Sequence, residues 1–299
     1  MKLPIVRQAS GAAGGFARPC RLAAALLLCT LLPPATHAAS GEALAGTRSP
    51  LAESSFRLSD GATLACYRRP GHPTLVLIPG TGSTQVQFHR TGFVEKLSPS
   101  LGVLIIEMRG RGRSWPPPPP EKATVEQYAR DVLEVVAGTG LDAWYISGKS
   151  LGGMICLEIA GQNPAGLRGA IPLEGWVHHA VAAEAFGEDL PAKTKAAKPK
   201  DVPPGWTEEQ ELALITMWRR WTGGERAVGQ IRGPVLAVVG DRGLSPRPAR
   251  QLLRFPEKPN IQLHWVTGAD HDVLAPRFVD EVARAVNAFV ARVEADAAR

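Results

Sequence analysis

The sequence has no internal repeat and no Gly-x-Gly-x-x-Gly run opening a strand-helix unit, so a solenoid is excluded and no cofactor is implied. Metal-ligand spacing is missing as well. His178 and His179 are adjacent and diverge, and no acidic or cysteine partner stands at ligand spacing, so no metal is expected. Long hydrophobic runs are also absent: the longest apolar segment, Leu22 to Leu32, is too short to span a bilayer comfortably. It follows Lys2, Arg7, Arg18 and Arg21 and precedes Pro33 to Ala39, the pattern of a secretory signal peptide cleaved after Ala38. An uncleaved anchor is the competing reading, whereas Leu28 before Cys29 is too large for a lipoprotein site. The formal net charge of +6 falls to +2 once those four basic residues leave, so nucleic-acid binding gains no support. Cysteine is scarce, at four residues, and Cys20 and Cys29 leave with the leader. Export would permit a Cys66 to Cys156 disulfide, but spacing does not show one, and a free buried thiol is expected at Cys156.

The most informative stretch present is Gly148-Lys149-Ser150-Leu151-Gly152. It is preceded by the apolar run Ala143 to Ile146 and followed by a helix-like run, Gly153 to Ala160. A serine hydroxyl is lifted from the backbone on a sharp strand-to-helix turn, and small residues two positions away on either side let that turn close. Ser150 is therefore the candidate nucleophile. His271, in Thr267 to Leu274, follows the strand-like run Ile261 to Val266 and precedes a final helix, which makes it the candidate base. His264 falls within the strand pattern, His72 and His89 fall in connections, and His37 leaves with the leader. Leu75 to Ile78 reads as a buried strand running into Pro79-Gly80-Thr81-Gly82, a turn able to offer backbone N–H groups. The expected oxyanion donors are the amides of Thr81 and Leu151.

With Val103 to Ile106 followed by Arg109-Gly110-Arg111-Gly112-Arg113-Ser114, this order of motifs resembles the α/β-hydrolase fold family over nearly the whole chain after the leader. A helical pattern at Val125, Tyr128, Ala129, Val132, Leu133 and Val136, strands at Gly169 to Leu173 and Val235 to Gly240, and a final stripe of Phe278, Val282, Val286, Phe289 and Val293 fit the same order. The resemblance implies an α/β chain with a mostly parallel central sheet, helices on both faces and a small helical cap. Its divisions are residues 1–38 as signal peptide, 39–175 and 231–299 as the two parts of the core, and 176–230 as the cap.

One position departs from the family pattern. Many relatives read Gly-x-x-Asp after the strand matching Val235 to Val239, and that frame places Gly243 at the acid. Either Glu174, at the end of the preceding strand as in a branch resembling haloalkane dehalogenases, or Asp241 then supplies it. Glu174 is the first choice.

Within the cap, Lys193, Lys195, Lys198 and Lys200 mark a solvated loop, and Thr207 to Trp221 reads as one helix capped by Thr207. Trp176, Leu212, Ile215, Met217, Trp218 and Trp221 are candidates to line an acyl or alcohol pocket, or else the five cap residues among them form the packing face of that helix. Lys149 stands where relatives commonly carry histidine. Its amine is expected to extend to solvent, with a bias toward anionic substrates as the alternative. Pro116 to Pro120 is expected to form a stiff rim loop. The resemblance implies a serine hydrolase acting on a small-molecule ester or acyl substrate, and the leader implies that it is exported. Acyltransferase, perhydrolase or lyase chemistry on the same residues stays open, as does a non-catalytic binding protein, which Gly243 keeps alive. Oligomeric state is not legible.

Overall fold

A computed structural model describes residues 51–177, 207–242, 255 and 257–299. The leader, His178 and His179, the four cap lysines and Gly243 lie outside the described residues. The described chain builds one eight-stranded sheet: β1 Ala52–Arg57, β2 Thr63–Arg69, β3 Thr74–Ile78, β4 Gly102–Ile106, β5 Trp144–Lys149, β6 Leu167–Leu173, β7 Val235–Gly240 and β8 Ile261–Val266. Their order across the sheet is β1-β2-β4-β3-β5-β6-β7-β8. Strands β3 to β8 pair in parallel, while β2 is antiparallel to both β1 and β4.

Strands β3, β4, β5 and β7 are buried along their length, as parallel strands covered on both faces must be. One face is covered by α3 Val125–Thr139 and α4 Leu151–Gly161, whose Val125, Tyr128, Val132, Met154 and Ile155 share a core with Val76 and Ile146. On the other face lie the short helices α1 Val86–His89 and α2 Phe93–Lys96, together with the long C-terminal helix Val279–Ala297. Val282, Val286 and Phe289 of that helix pack with Leu75, Leu77 and Ile171. The chain steps from β3 to β4 on one side and then returns to place β5 on the other. The turns that follow β3 and β5 therefore lie side by side at the carboxyl edge, where ligand crevices form in open α/β sheets.

Two features differ from the sequence reading. The β1-β2 pair has no apolar run to announce it, because β1 is almost wholly exposed. The single helix expected over Thr207 to Trp221 is instead α5, Glu208–Thr216, followed by a 3₁₀ turn, Met217–Arg220, and then α6, Gly224–Gln230. Thr216 ends the α-helix: its hydroxyl donates back to Leu212 O at 2.6 Å, a bond that bends helices, and the chain tightens beyond it. Thr207 caps α5 as expected, in a reciprocal capping box with Gln210. The proline tract ends in a second short 3₁₀ turn, Pro120–Lys122, which Arg220 ties to the cap by donating to Pro120 O and Ala123 O. No helix among the described residues is long and apolar enough to cross a membrane.

A buried ion pair fixes α5 on the core. The Arg111 guanidinium donates to both carboxylate oxygens of Glu211, at 2.7 and 2.9 Å, with both side chains about nine-tenths buried. Breaking such a pair from one side leaves an uncompensated buried charge, which costs about 3 kcal/mol. Glu211→Ala is accordingly expected to raise hydrogen exchange across residues 207–221 and to leave exchange in β5 and α4 unchanged.

Candidate active site

Ser150 forms the corner between β5 and α4 with φ 57° and ψ −118°, a left-handed conformation that a residue with a Cβ adopts only at a cost of about 1–3 kcal/mol. Both flanking glycines are needed for the close approach at this corner. A Cβ on Gly148 would strike the Gly152 carbonyl, and one on Gly152 would strike that of Ile78. The Ser150 N–H donates to Leu173 O at 2.9 Å, which pins the corner to the end of β6.

His271 arrives on the loop between β8 and the C-terminal helix. Its Nε2 lies 2.9 Å from Ser150 Oγ, and its Nδ1 lies 3.1 Å from Glu174 Oε2. An ionised carboxylate only accepts, so Nδ1 carries the ring proton and Nε2 presents a lone pair to the serine hydroxyl. Glu174 directly follows β6, itself in a left-handed conformation with φ 52°. Its side chain is 4% exposed, and Oε1 accepts the Gly240 N–H at 2.5 Å. The carboxylate thus bridges the end of β7 and the imidazole. Asp241 is exposed, and its Oδ1 accepts the Gly268 N–H at 2.8 Å, closing the turn after β8. Of the two acid candidates, the structure brings only Glu174 to His271. The remaining described histidines meet carboxylates elsewhere: His72 with Asp142, His89 with Glu95 and His264 with Glu281.

Thr81 and Leu151 line one small cavity. Leu151 opens α4, where the backbone N–H has no partner inside the helix. The Gly80 N–H donates to Gln87 Oε1 at 2.8 Å, so the next amide available from the turn after β3 is that of Thr81. Glu107, one residue beyond β4, secures this turn from below: its carboxylate accepts the N–H of Gln85 and of Arg113. Burial pushes the Glu107 carboxyl up from the usual carboxylate range, against the pull of those two N–H groups. Sequence reasoning missed this residue, although it sits between the strand Val103 to Ile106 and the Arg-Gly-x-Gly-x-Ser loop, where a buried acid has two turns to join.

Of the cap residues, Leu214 and the expected Met217 line this cavity, whereas Leu212, Ile215, Trp218 and Trp221 are not among its lining residues. The cause is helical phase, because Glu211 must face Arg111 and so turns the residue three positions on, Leu214, inward. Leu212 and Ile215 are half-buried on the adjoining stripe, and Trp218 is buried in the core. Trp176 is beside the site, its ring centroid 5.6 Å from that of His271. Its indole N–H is buried and has no hydrogen-bond partner among the described residues.

Lys149 also departs from expectation. It is buried, with its side chain 9% exposed, and its ammonium lies 3.5 Å from Asp272 Oδ1 instead of in solvent. Cys66 and Cys156 are both free and buried, so the disulfide is not formed. Burial pushes the Cys66 thiol up to about 11 and raises that of Cys156 as well, which leaves neither as a rival nucleophile. Among the described residues no group of histidine, cysteine or acidic side chains is arranged to hold a metal ion.

The model of a family described as alpha/beta hydrolase fold matches residues 73–198. N-formylmaleamate deformylase of Pseudomonas putida strain KT2440 is 27% identical over 234 residues, which span 69% of this chain and 84% of that protein. Among solved structures, E-2-(acetamidomethylene)succinate hydrolase superposes with TM-score 0.59 at 19% identity, over 80% of this chain and 99% of that one. A structure from work on carboxylesterases of the thaumarchaeon Nitrososphaera gargenis gives TM-score 0.62 at 18% identity, over 81% and 100%.

Proposed function

The chain is an α/β-hydrolase-fold protein with hydrolases among its relatives, and on that premise we propose that it is an exported serine hydrolase that cleaves carboxylic ester-type bonds through an acyl-enzyme. The observation that carries this reading is the unbroken hydrogen-bond relay from Ser150 Oγ through His271 to the buried Glu174. Export rests on the basic and apolar leader ending near Ala38.

In this mechanism His271 Nε2 takes the hydroxyl proton as Ser150 Oγ bonds to the acyl carbon. The carbonyl electron pair moves onto oxygen, where the amides of Thr81 and Leu151 meet it. Glu174 steadies the imidazolium through Nδ1–H. Collapse expels the alcohol, which receives the proton from Nε2, and water repeats the sequence to free the acid and Ser150. Loss of one oxyanion donor costs about 3 kcal/mol or more in the barrier. Trp176 stands beside His271 and offers the bound substrate an N–H that has no partner among the described residues. Trp176→Phe keeps the ring and removes that donor, so KM for an ester with an acceptor beside the carbonyl is expected to rise about fivefold, with a smaller change in kcat.

The names of two relatives favour a second substrate class. One is a deformylase of an amide-bearing acid and the other hydrolyses an acetamido compound, so N-acyl bonds belong beside esters in any test. The same relay cleaves a C–N bond when the imidazolium protonates the leaving nitrogen. Stopped-flow assays with short and long p-nitrophenyl esters, alongside N-formyl and N-acetyl amides, test both classes. The expected result is a burst of p-nitrophenol equal to the enzyme, then steady turnover, or turnover of the amides. Absence of turnover with both classes would contradict the hydrolase reading.

A further inference from the structure

The Lys149–Asp272 pair sits one residue from each member of the nucleophile-base couple. Lys149 ends β5 and precedes Ser150, while Asp272 follows His271. Their charged groups are 3.5 Å apart, with the lysine side chain about nine-tenths buried and the aspartate half exposed. The loop bearing His271 is otherwise held by the bonds of His271 itself to Glu174 and Ser150 and by turns. Ala275 N–H donates to Asp272 O, Arg242 N–H donates to Ala269 O, and Asp272 N–H donates to the Asp270 carboxylate. These bonds shape the loop and fasten it to the end of β7. The Lys149–Asp272 pair instead fastens it to the end of β5, the strand that carries Ser150.

We propose that Lys149 and Asp272 are positioning residues: their ion pair sets the 2.9 Å separation of Ser150 Oγ from His271 Nε2. The inference rests on the serine-hydrolase reading above. Three physical points support it. A buried ammonium requires a charged or hydrogen-bonding partner, so the lysine cannot relax outward without giving up Asp272. A partly buried pair is weakly screened by salt, so it acts under ordinary ionic conditions. Proton transfer from a serine is sensitive to position, and an ångström of misplacement costs up to about 100-fold in rate. The lysine at position 149 is thereby accounted for through contact with the base loop, with no contact to substrate required.

The test compares full-chain wild type with Lys149→Met, Asp272→Asn, the double variant, Lys149→Arg and a control, Lys96→Met. The control breaks a surface pair with Asp280 remote from the site. The readouts are the second-order rate constant of fluorophosphonate labelling, the fraction labelled at saturation and the thermal midpoint. Each of the first two variants is expected to label about 10-fold more slowly per active site, with full labelling at saturation. The double variant is expected to match the singles, Lys149→Arg to stay within about twofold of wild type, and Lys96→Met to be unchanged. Unaltered rate constants in the singles, losses that multiply in the double variant, or a fall confined to the labelled fraction or thermal midpoint would overturn the positioning role. A wild type that does not label would overturn the nucleophile reading itself, and this inference with it.

Discussion

Replacing Ser150 by Ala is expected to lower kcat/KM on an ester by about 10⁵-fold or more, because without Oγ no acyl-enzyme forms and only binding and the oxyanion donors remain. The fold does not depend on that hydroxyl. Every backbone bond that shapes the corner, from Ser150 N to Leu173 O and from Gly153 N and Met154 N to Ser150 O, survives the exchange. The thermal midpoint of Ser150→Ala should therefore stay close to wild type. Ser150→Gly separates strain from chemistry. At φ 57° and ψ −118° a glycine is at ease where serine is not, so this variant is expected to be equally inactive yet about 1 kcal/mol more stable to denaturant. Inactivity with gained stability is the signature of a residue held in an unfavourable conformation for its reactivity.

Glu174→Gln is expected to reduce kcat by about 10³ to 10⁴-fold, and Asp241→Asn to change it by less than about threefold. The glutamine still accepts the Gly240 N–H, so the end of β7 stays in place. Its amide cannot balance an imidazolium, and an N–H₂ group facing Nδ1 drives the ring toward the tautomer whose Nε2 bears a proton. That tautomer cannot accept from Ser150. Among the described residues Asp241 bonds a backbone N–H in a surface turn and nothing in the relay, so its loss slackens the turn after β8 and leaves the relay intact. A large loss for Asp241→Asn with full activity in Glu174→Gln would reverse the assignment of the acid.

The sheet was readable where the chemistry of burial is one-dimensional. Leu75 to Ile78, Val103 to Ile106 and Val235 to Val239 are unbroken apolar runs because both of their faces are covered. Ser150 stood out because the corner tolerates only glycine at positions 148 and 152, and His271 because it lies on a loop after a strand late in the chain. The choice between Glu174 and Asp241 was less legible. Both close a parallel strand, and reach depends on which turn each carboxylate completes, a property of the folded loops. The rotation of α5 was not legible because the Arg111–Glu211 pair, which fixes it, joins segments remote in sequence. Lys149 read as a snorkelling surface lysine for the same reason: its partner Asp272 comes from the other end of the chain. The pair β1 and β2 carries no apolar periodicity on its exposed outer strand and offered no signal.

The central claim is that Ser150 is the nucleophile, and the most direct measurement is to locate the covalent adduct. Purified protein is treated with a fluorophosphonate, digested and sequenced by tandem mass spectrometry, beside a His271→Ala sample. One phosphonyl group on Ser150, formed at least about 100-fold more slowly without the imidazole, is the predicted result. An adduct on a different residue, or ester turnover by protein that carries no adduct at all, would contradict it.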